Sequence, residues 1–327
     1  MKKQILLLYG GKSSEHDVSV MGYEYVISLL RDTEYAVTPV YVDRAGEWHS
    51  GTADGARAYL STDDGTLRTD GKRIRIDAAI PLLHGEGGED GRIQSLIEAA
   101  GIPYVGADTI ASAVSIDKFY TKSVASSLGI PTVKAVIFSQ PTDTDKAYRA
   151  CLDELGARMF IKPRRLGSSV GAHPVYTESD FRSAFPLAME SGGNLVMVEE
   201  LVKDKREIEC AYYRAGGRTL ISEPGEILID GFYGYREKYG GTTRLSPIAN
   251  VTSDTAEKIK AYAKALAEAL SLRHLARIDF FLSGDKVIFN EVNTFPGFTR
   301  ESLYPKMLEA SGIHPRDALV SFLRELC

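Results

Sequence analysis

The chain has 327 residues, more than a single hydrophobic core usually supports, so two or three domains are expected. Its 44% hydrophobic and 25% charged residues are ordinary for a globular protein, and a formal net charge of −5 gives no sign of a nucleic-acid surface. No run approaches the roughly eighteen apolar residues of a membrane span. Three widely spaced cysteines indicate no disulfide framework and predict a reducing, cytoplasmic setting.

The first region, residues 1–106, alternates apolar strands with helical patterns. The strands are predicted at 4–9, 37–43 and 78–85, and the helices at 18–30 and 93–100. Such alternation predicts a parallel, doubly wound sheet, which binds ligands at the carboxyl ends of its strands. Two glycine-rich turns, 10–19 and 84–91, lie at such ends.

The remaining chain is predicted to divide into a central region, 107–199, and a C-terminal region, 200–327. The central region has a helix near Lys118, strands at 159–163 and 195–201, and a Gly-Ser loop at 164–172. The C-terminal region has a strand at 207–213, a segment rich in glycine and tyrosine at 224–247, a hairpin, and helices at 253–270 and 315–326.

The hairpin is formed by two apolar runs on either side of the turn signal SGDK, residues 283–286. In the predicted antiparallel register Asp279 lies opposite Glu291, which shares one strand face with Asn293. Two carboxylates and an amide oxygen then converge, and such hard oxygen ligands suit Mg²⁺. From the hairpin alone, an equally open alternative is a pair of edge acids neutralised by a neighbouring cation, Arg277 or Lys286.

The loop RRLGSSVGA, residues 164–172, is rich in N–H and hydroxyl donors, which suit phosphate groups. It matches neither a Walker loop nor a dinucleotide fingerprint. Lys162 at the end of the preceding strand and Lys118 on a helix would add point charges for phosphate. Taken alone, the loop is more typical of a plain turn, and the two lysines are more typical of solvated side chains.

The two turns of the first region each have a structural and a functional interpretation. GGKSSEHDVS, residues 10–19, caps a helix or presents Glu15 to a substrate ammonium group. HGEGGEDG, residues 84–91, is a flexible acidic turn or places His84 to orient a substrate or exchange a proton. Their position at strand ends favours the functional interpretation.

Eight motifs occur in the order found in one family. They are GGKSSEHDVS, HGEGGEDG, YVGAD, SIDKFYTK, FIKPRRLGSSVG, GFYGYREKY, RIDFF and NEVNTFPGFT. Over residues 10–305 the chain therefore resembles the D-alanine–D-alanine ligases, which are members of the ATP-grasp fold. The resemblance implies an α/β chain in which an ATP-grasp fold follows the parallel-sheet domain. It also implies ATP between the central and C-terminal regions, and a homodimer.

The resemblance further implies a reaction. ATP phosphorylates the carboxylate of a first D-alanine, the amine of a second D-alanine attacks the acyl phosphate, and the tetrahedral intermediate expels phosphate. The product is the dipeptide used in peptidoglycan precursors. The expected partners are two D-alanine molecules and ATP, with Mg²⁺ or Mn²⁺ as one or two ions, and neither nucleic acid nor membrane.

By position, the family's metal ligands match Asp279, Glu291 and Asn293. Its nucleotide-binding residues match a longer set, namely Lys118 and Lys162 for phosphate, Ser168 and Ser169 in the loop, Glu199, Glu200, Val202 and Glu207 for adenine and ribose, and Lys238 and Asn290. The hinge after Glu199 is one residue longer than the family pattern, and Arg164 adds a charge where a small residue is expected.

For the first amino acid, the resemblance places Glu15 on the ammonium group, linked by hydrogen bonds to Ser168 and Tyr239. His84 lies beside that subsite. Lys238 and Tyr239 belong to a loop that would close over the site and exclude water, which would otherwise hydrolyse the acyl phosphate.

For the acyl chemistry, Arg277 and the N–H of Gly297 match the groups that stabilise the oxyanion. Ser302 matches the residue that binds the second carboxylate. Leu303, which follows it, is typical of ligases that join two D-alanines.

Two alternatives are open at this point. One is a ligase that joins D-alanine to D-serine or, less well matched, to D-lactate, since the EKY triplet at 237–239 differs from the lactate type. The other is a nucleotide-binding relative without activity. Loss of any of five residues would favour the inactive relative, and all five are present, namely Lys162, Arg277, Asp279, Glu291 and Asn293.

Overall fold

A computed structural model of the chain describes residues 2–228 and 244–327. Within these ranges the helices are α1 (His16–Leu30), α2 (Arg92–Ala99), α3 (Thr109–Ile116), α4 (Lys118–Ser127), α5 (Thr144–Leu155), α6 (Glu178–Ser191), α7 (Ser253–Ala269), α8 (Leu303–Ala310) and α9 (Pro315–Leu326). None of these helices is both long and apolar enough to cross a membrane.

The strands in the same ranges form four sheets. They are β1 (Lys3–Gly10), β2 (Tyr35–Val42), β3 (Trp48–Ser50), β4 (Ala58–Leu60), β5 (Thr66–Thr69), β6 (Lys72–Arg75), β7 (Ala78–Leu83), β8 (Ala135–Phe138), β9 (Met159–Pro163), β10 (His173–Val175), β11 (Val196–Glu200), β12 (Arg206–Ala215), β13 (Arg218–Ile221), β14 (Gly225–Leu228), β15 (Arg244–Ser246), β16 (Leu275–Ser283) and β17 (Lys286–Asn293).

The first sheet has the strand order β3-β2-β1-β7, and β1 runs parallel to both β2 and β7. Four consecutive residues of β1, Ile5 to Leu8, are fully buried, as expected for a parallel strand covered on both faces. The parallel sheet predicted for the first region is therefore confirmed. Gly10 pairs with Leu83, so the turns that follow β1 and β7 start side by side. The hydroxyl of Ser13 joins them by donating to the carbonyl of His84 at 2.7 Å.

The other large sheets are antiparallel. One has the order β10-β9-β11-β8, and α5 and α6 pack on it around Phe181 and Phe185. The next has the order β15-β14-β12-β16-β17, with β13 beside β12. A small three-stranded sheet, β4-β5-β6, extends the first region. These pieces are the two halves expected of an ATP-grasp fold after a parallel-sheet domain.

The β16–β17 hairpin has the predicted register. Asp279 lies opposite Glu291, and Arg277 lies opposite Asn293, with a register shift directly after Asp279. The turn between Ser283 and Lys286 contains Gly284 at φ +57°, a left-handed conformation that favours glycine. Because strand residues alternate faces, this register sets the two acids and the amide on one surface.

The first and last regions share one hydrophobic core. Ile5 and Ile80 of the parallel sheet belong to the same buried cluster as Phe298, Tyr304 and Phe322. The C-terminal helices α8 and α9 both pack on β12, and α9 also packs on α1, which joins the last region to the first. The division at residues 106 and 199 stays a prediction.

Arg164, the departure from the family pattern, is 3% exposed and adds no unbalanced charge. Its guanidinium donates to the Asp117 carboxylate with Nε at 3.1 Å and Nη2 at 2.8 Å, and it lies over the rings of Phe119 and Tyr120. Asp117 is fully buried and also caps α4 by accepting from the Phe119 N–H. The pair fixes the start of α4, and with it Lys118, to the end of β9.

We expect Asp117→Asn to lower the free energy of unfolding by about 3–5 kcal/mol, because it keeps the cap but leaves the buried Arg164 charge without its carboxylate. Urea unfolding followed by circular dichroism measures the change. The matched control is Arg165→Met, which removes the half-exposed second partner of Asp117 and should cost under about 1 kcal/mol. Equal losses in the two variants would show that the Arg164 pair does not anchor α4.

Candidate active site

Two clefts with shared lining residues lie at the antiparallel sheets. The first encloses about 940 Å³ of space, including its open mouth, between β9–β11 and β12–β16. It brings together the predicted nucleotide and metal residues Lys118, Lys162, Ser168, Ser169, Glu199, Glu200, Val202, Glu207, Asp279, Asn290 and Glu291. Lys238 and Tyr239, also predicted for this site, lie outside the described residues.

The second cleft lies between the first sheet and the C-terminal region. It brings together the predicted substrate residues Glu15, His84, Arg277, Gly297, Ser302 and Leu303, and the predicted metal residue Asn293. Ser168, Arg277 and Glu291 line both clefts. A phosphate held in the first cleft is therefore next to a carboxylate held in the second.

The two predicted phosphate lysines are held by partners within the protein. Lys118 is the first residue of α4, and its Nζ donates to the carbonyl of Leu166 at 2.8 Å and lies 3.3 Å from Glu291 Oε2. Lys162, on β9, has its Nζ 2.7 Å from Glu199 Oε2 and 3.4 Å from Asn290 Oδ1. Both are under 10% exposed, so a plain solvated lysine is excluded for each.

The phosphate loop has unusual backbone at its two serines. Ser168 and Ser169 have φ values of +51° and +58°, in the left-handed region that few residues other than glycine enter. Consecutive residues of this kind cost conformational energy and cluster at ligand sites. They turn the loop so that it follows the mouth of the first cleft, where both serines are lining residues.

The hairpin acids share one cluster. Arg277 binds Asp279 with two hydrogen bonds of 2.8 Å, and Asn293 donates its amide to the same carboxylate at 3.0 Å. Asp279 is 8% exposed. The two carboxylates and the amide oxygen are hard ligands of the type that Mg²⁺ and Mn²⁺ take. The donor set therefore fits a divalent ion, which would exchange with the cations that now neutralise these acids.

Arg277 has a second acidic partner. Its Nε lies 3.1 Å from Glu209 Oε2 on the adjacent strand β12, and Glu209 lines both clefts. Although burial opposes its charge, Asp279 and Glu209 raise the pKa of Arg277, so the guanidinium stays charged. Two acids on one side hold it in place at the junction of the clefts.

Glu15 lies where the turns of the first sheet meet the phosphate loop. A Cβ atom built on Gly85 would lie 3.0 Å from Glu15 Oε2, and one built on Gly167 would lie 3.3 Å from the same atom. Both glycines therefore leave room for the carboxylate. Glu15 also precedes the first turn of α1, where its backbone N–H donates to Ser13 Oγ at 3.2 Å.

His84 and Glu89 both bind the backbone of Phe295. His84 Nδ1 lies 2.9 Å from the Phe295 carbonyl, and Glu89 Oε1 accepts from the Phe295 N–H at 2.9 Å. The carbonyl requires Nδ1 to donate, which leaves a lone pair on Nε2. Among the described residues this Nε2 has no hydrogen-bond partner, and burial lowers the pKa of His84. The ring is thus a neutral acceptor at the second cleft.

Gly297 and Ser302 lie against each other. A Cβ on Gly297 would be 3.1 Å from Ser302 Oγ, so a side chain there would crowd the serine. Ser302 Oγ accepts from the Thr299 N–H at 3.1 Å, and Ser302 is the N-cap residue of α8, without a capping hydrogen bond from its side chain. The helix start and its hydroxyl face the second cleft, which suits a carboxylate.

The hinge acids have lysines beside them. The Glu199 carboxylate is 2% exposed, lies between Lys122 and Lys162, and lines the first cleft. Glu207 Oε1 lies 2.7 Å from Lys205 Nζ, which in turn lies over the Phe281 ring at 4.0 Å. Both Glu207 and Lys205 line the first cleft.

Four site residues were not identified from the sequence, namely Glu89, Lys122, Lys205 and Glu209. Two had a readable signal. Lys122 follows Lys118 by one helical turn, and Glu209 follows Glu207 by two strand positions, so each shares a face with a predicted site residue. Glu89 gains its role from a contact with Phe295, far along the chain, and Lys205 from a contact with Phe281 in addition to that with nearby Glu207.

Comparisons with known proteins agree with this arrangement. The family model for the N-terminus of D-ala D-ala ligase matches residues 4–107, and that for the C-terminus matches residues 124–324. A D-alanine–D-alanine ligase from Vibrio cholerae is 41% identical over 320 residues, covering 95% of each chain. One from Deinococcus radiodurans is 37% identical, covering 100% of this chain and 98% of the relative.

Solved structures give the same result. A D-alanyl-alanine synthetase A from Vibrio cholerae superposes with a TM-score of 0.91 at 40% identity, covering 99% of this chain and 98% of that one. The VanG D-Ala:D-Ser ligase from Enterococcus faecalis has a TM-score of 0.89 at 29% identity over both full lengths.

The fold and its paired clefts define a ligase of the ATP-grasp class. The family within this class follows from two findings. The models of both the N-terminus and the C-terminus match, and relatives are 37–41% identical along nearly the whole chain. The chain belongs to the D-alanine–D-alanine ligase family.

The buried carboxyl of Glu89 predicts a pH dependence of stability. Burial and the nearby Glu15 raise its pKa from 4.5 to about 7. Between these values the folded state binds more protons than the unfolded state, so this contribution to stability is full below pH 4.5 and is lost as the pH rises through 7. The loss corresponds to about 3 kcal/mol.

Glu89→Gln should remove this dependence. The difference in free energy of unfolding between wild type and variant should shift by about 3 kcal/mol against the wild type from pH 4.5 to pH 7.5. Urea titrations across that range measure it. Glu86→Gln, an exposed position in the same turn, is the control and should follow the wild-type profile. Parallel curves for wild type and Glu89→Gln would contradict the prediction.

Proposed function

We propose that the chain joins two D-alanine molecules with ATP through an acyl phosphate, the route by which peptidoglycan precursors gain their terminal dipeptide. The observation that carries this is the junction of the clefts at Arg277, Ser168 and Glu291. A phosphate-binding cleft with two lysines meets a cleft lined by an acid, a neutral imidazole and a guanidinium. These are the groups that an amino acid and a phosphoryl donor need side by side.

In the first step, Lys118 and Lys162 hold the phosphates of ATP below the serine loop. The first D-alanine places its ammonium between Glu15 and His84 Nε2, and its carboxylate toward Arg277. An oxygen of that carboxylate attacks the γ-phosphorus, the bond from phosphorus to the β-phosphate oxygen breaks, and ADP leaves. The chain contributes position and charge here, which is most of what phosphoryl transfer requires.

In the second step, the amine of the second D-alanine attacks the acyl carbon. Negative charge develops on the acyl oxygen, and Arg277 and the Gly297 N–H are placed to stabilise it. The intermediate then expels inorganic phosphate, and the nitrogen loses a proton as the peptide forms. Ser302 and the start of α8 hold the second carboxylate next to these groups.

Asp279, Glu291 and Asn293 would hold Mg²⁺ or Mn²⁺, as one or two ions. Asn290, whose side chain accepts a hydrogen bond from Lys162, would lie next to them. When bound, such an ion neutralises phosphate charge in the ground state and in the transition state. Glu199, Glu200, Val202 and Glu207 would surround adenine and ribose, with the ribose hydroxyls on Glu207.

D-Serine is the alternative second substrate, since the VanG ligase shares the fold. Two observations favour D-alanine. The relatives with the greater identity are D-alanine–D-alanine ligases, and Leu303, next to Ser302, lines the second cleft with an apolar side chain. A cytoplasmic homodimer completes the proposal, and sedimentation analysis of the purified protein tests the dimer.

Purified protein should release phosphate from ATP only with D-alanine and Mg²⁺ present. In a mixture of D-alanine, D-serine and D-lactate, mass spectrometry should find D-alanyl-D-alanine as the main product. Phosphate release with L-alanine alone would contradict the ligase assignment. A dominant D-alanyl-D-serine product would shift the assignment to the alternative.

Glu291→Gln should lower turnover at least about 100-fold, since even the outer partners of metal ligands are worth about 10- to 100-fold. It should also weaken Mn²⁺ binding, measured by electron paramagnetic resonance in the presence of ADP. Asp285→Asn, in the exposed turn of the same hairpin, is the matched control and should bind Mn²⁺ like wild type. Unchanged Mn²⁺ affinity in Glu291→Gln would exclude it as a ligand.

A further inference from the structure

Lys122 is a buried cation that does not line either of the two clefts. It lies on α4 one turn after Lys118 and is 5% exposed. Its Nζ is 2.5 Å from Glu199 Oε1. A lysine buried to this degree needs a carboxylate partner, and Glu199 is the partner that the structure supplies.

Glu199 is shared between two lysines. Its other oxygen, Oε2, is 2.7 Å from Lys162 Nζ, and Lys162 does line the nucleotide cleft. Two ammonium groups and one carboxylate leave a single net positive charge, and Lys162 is the member of the cluster that faces the cleft. Although burial alone would raise it, the two lysines lower the pKa of Glu199, so the carboxylate is ionised.

We propose that Lys122 is a positioning residue that occupies half of the Glu199 carboxylate, so that the Lys162 ammonium stays available to the phosphates of a nucleotide. The proposal rests on the proposed function, in which Lys162 binds phosphate. It gives the Glu199 side chain a role in charge balance inside the protein, in addition to its place beside adenine.

The reason is a competition for Lys162. Without Lys122, the buried Glu199 would have Lys162 as its one remaining cation within the cluster, and an ion pair at low dielectric is strong. The pair would be neutral, and a phosphate would have to displace a carboxylate that has no other partner. With Lys122 in place, Glu199 keeps a partner when Lys162 turns to the phosphate.

The side chains of Lys122 and Lys118 differ in this respect although they share one helix face. Lys118 is paired with Glu291, which would gain a divalent ion when the nucleotide binds. Glu199 belongs to no such ligand set. It therefore needs a resident cation, and Lys122 provides it from behind the cleft wall.

Lys122→Met keeps the length of the side chain and removes its charge. We expect the affinity for ADP and the KM for ATP to weaken by about 10-fold or more, by the loss of one charge–charge interaction of about 1.4 kcal/mol or more. Affinity for adenosine, which lacks phosphates, should stay within about 2-fold. Isothermal titration calorimetry of the purified full-length protein measures both ligands. Lys264→Met, an exposed lysine on α7, is the control.

The double variant Lys122→Met/Glu199→Gln separates positioning from structural support. It removes one positive and one negative charge, which restores the single net positive charge at Lys162. We expect the ratio of ADP affinity to adenosine affinity to return to within about 3-fold of wild type, even if Lys122→Met alone does not fold. The ratio cancels any contact that Glu199 makes with adenine. A ratio that stays low in the folded double variant would overturn the proposal, as would equal loss of ADP and adenosine affinity in Lys122→Met.

The titration of wild type with ADP separates a failure of the proposed nucleotide site from a failure of the proposed role of Lys122. If wild type does not bind ADP, the proposed nucleotide site is wrong and the role of Lys122 falls with it. If wild type binds ADP and Lys122→Met binds it equally well, the ligase assignment stands and only the role of Lys122 is refuted. Lys122→Arg, which keeps the charge, should retain most of the wild-type affinity.

Discussion

A carboxylate that is taken out of water and stays ionised needs a cation beside it, because an unpaired buried charge costs several kcal/mol. The two clefts are built around this constraint. Asp279 is held by Arg277, Glu291 by Lys118, and Glu199 by a pair of lysines. The same rule holds outside the clefts, where the Arg164–Asp117 pair fixes the start of α4. Before any ligand binds, these carboxylates are therefore neutralised by cations of the protein itself. Each ligand then binds by replacing one of these internal partners.

Such an exchange of ion-pair partners requires a backbone that keeps its position while the side chains change partners. Antiparallel strand pairing provides this rigidity. Strand β16, which carries Arg277 and Asp279, is paired with β12 at Glu209. On its other side it is paired with β17 at Glu291 and Asn293. Backbone contacts complete this rigid frame at the second cleft. There the Phe295 peptide is held between His84 and Glu89, so the turn after β7 and the turn after β17 form one wall.

The parts of this design that could be predicted from the sequence are those specified locally. The strand at 159–163 and the helix at 315–326 have the predicted bounds, and the hairpin has the predicted register because a short turn and a period of two allow few alternatives. Helix α1 begins at His16, two residues before the prediction. The described residues of the ordered motifs lie together in the two clefts, and their binding roles stay predictions.

What could not be predicted depends on partners distant in the chain. The strands β3 to β6 have three or four residues each, too few to show a period. Their pairing determines them, since β3 pairs with β2 and the strands β4 to β6 pair with one another. Arg164 looked like an added charge, because nothing local shows that Asp117 faces it. The Lys122–Glu199 contact joins helix α4 to strand β11, which is distant in the sequence, so only the folded chain shows it.

Partner exchange also explains why the two phosphate lysines are supported differently. When phosphate takes Lys118, the carboxylate left behind is Glu291, which is one of the three oxygen ligands available to a divalent ion. When phosphate takes Lys162, the carboxylate left behind is Glu199, which is 2% exposed and is not one of those three ligands. A cation that arrives with the nucleotide can compensate the first acid but not the second. The second therefore requires a cation built into the chain, and this requirement places a lysine at position 122, one turn along the helix that already carries Lys118.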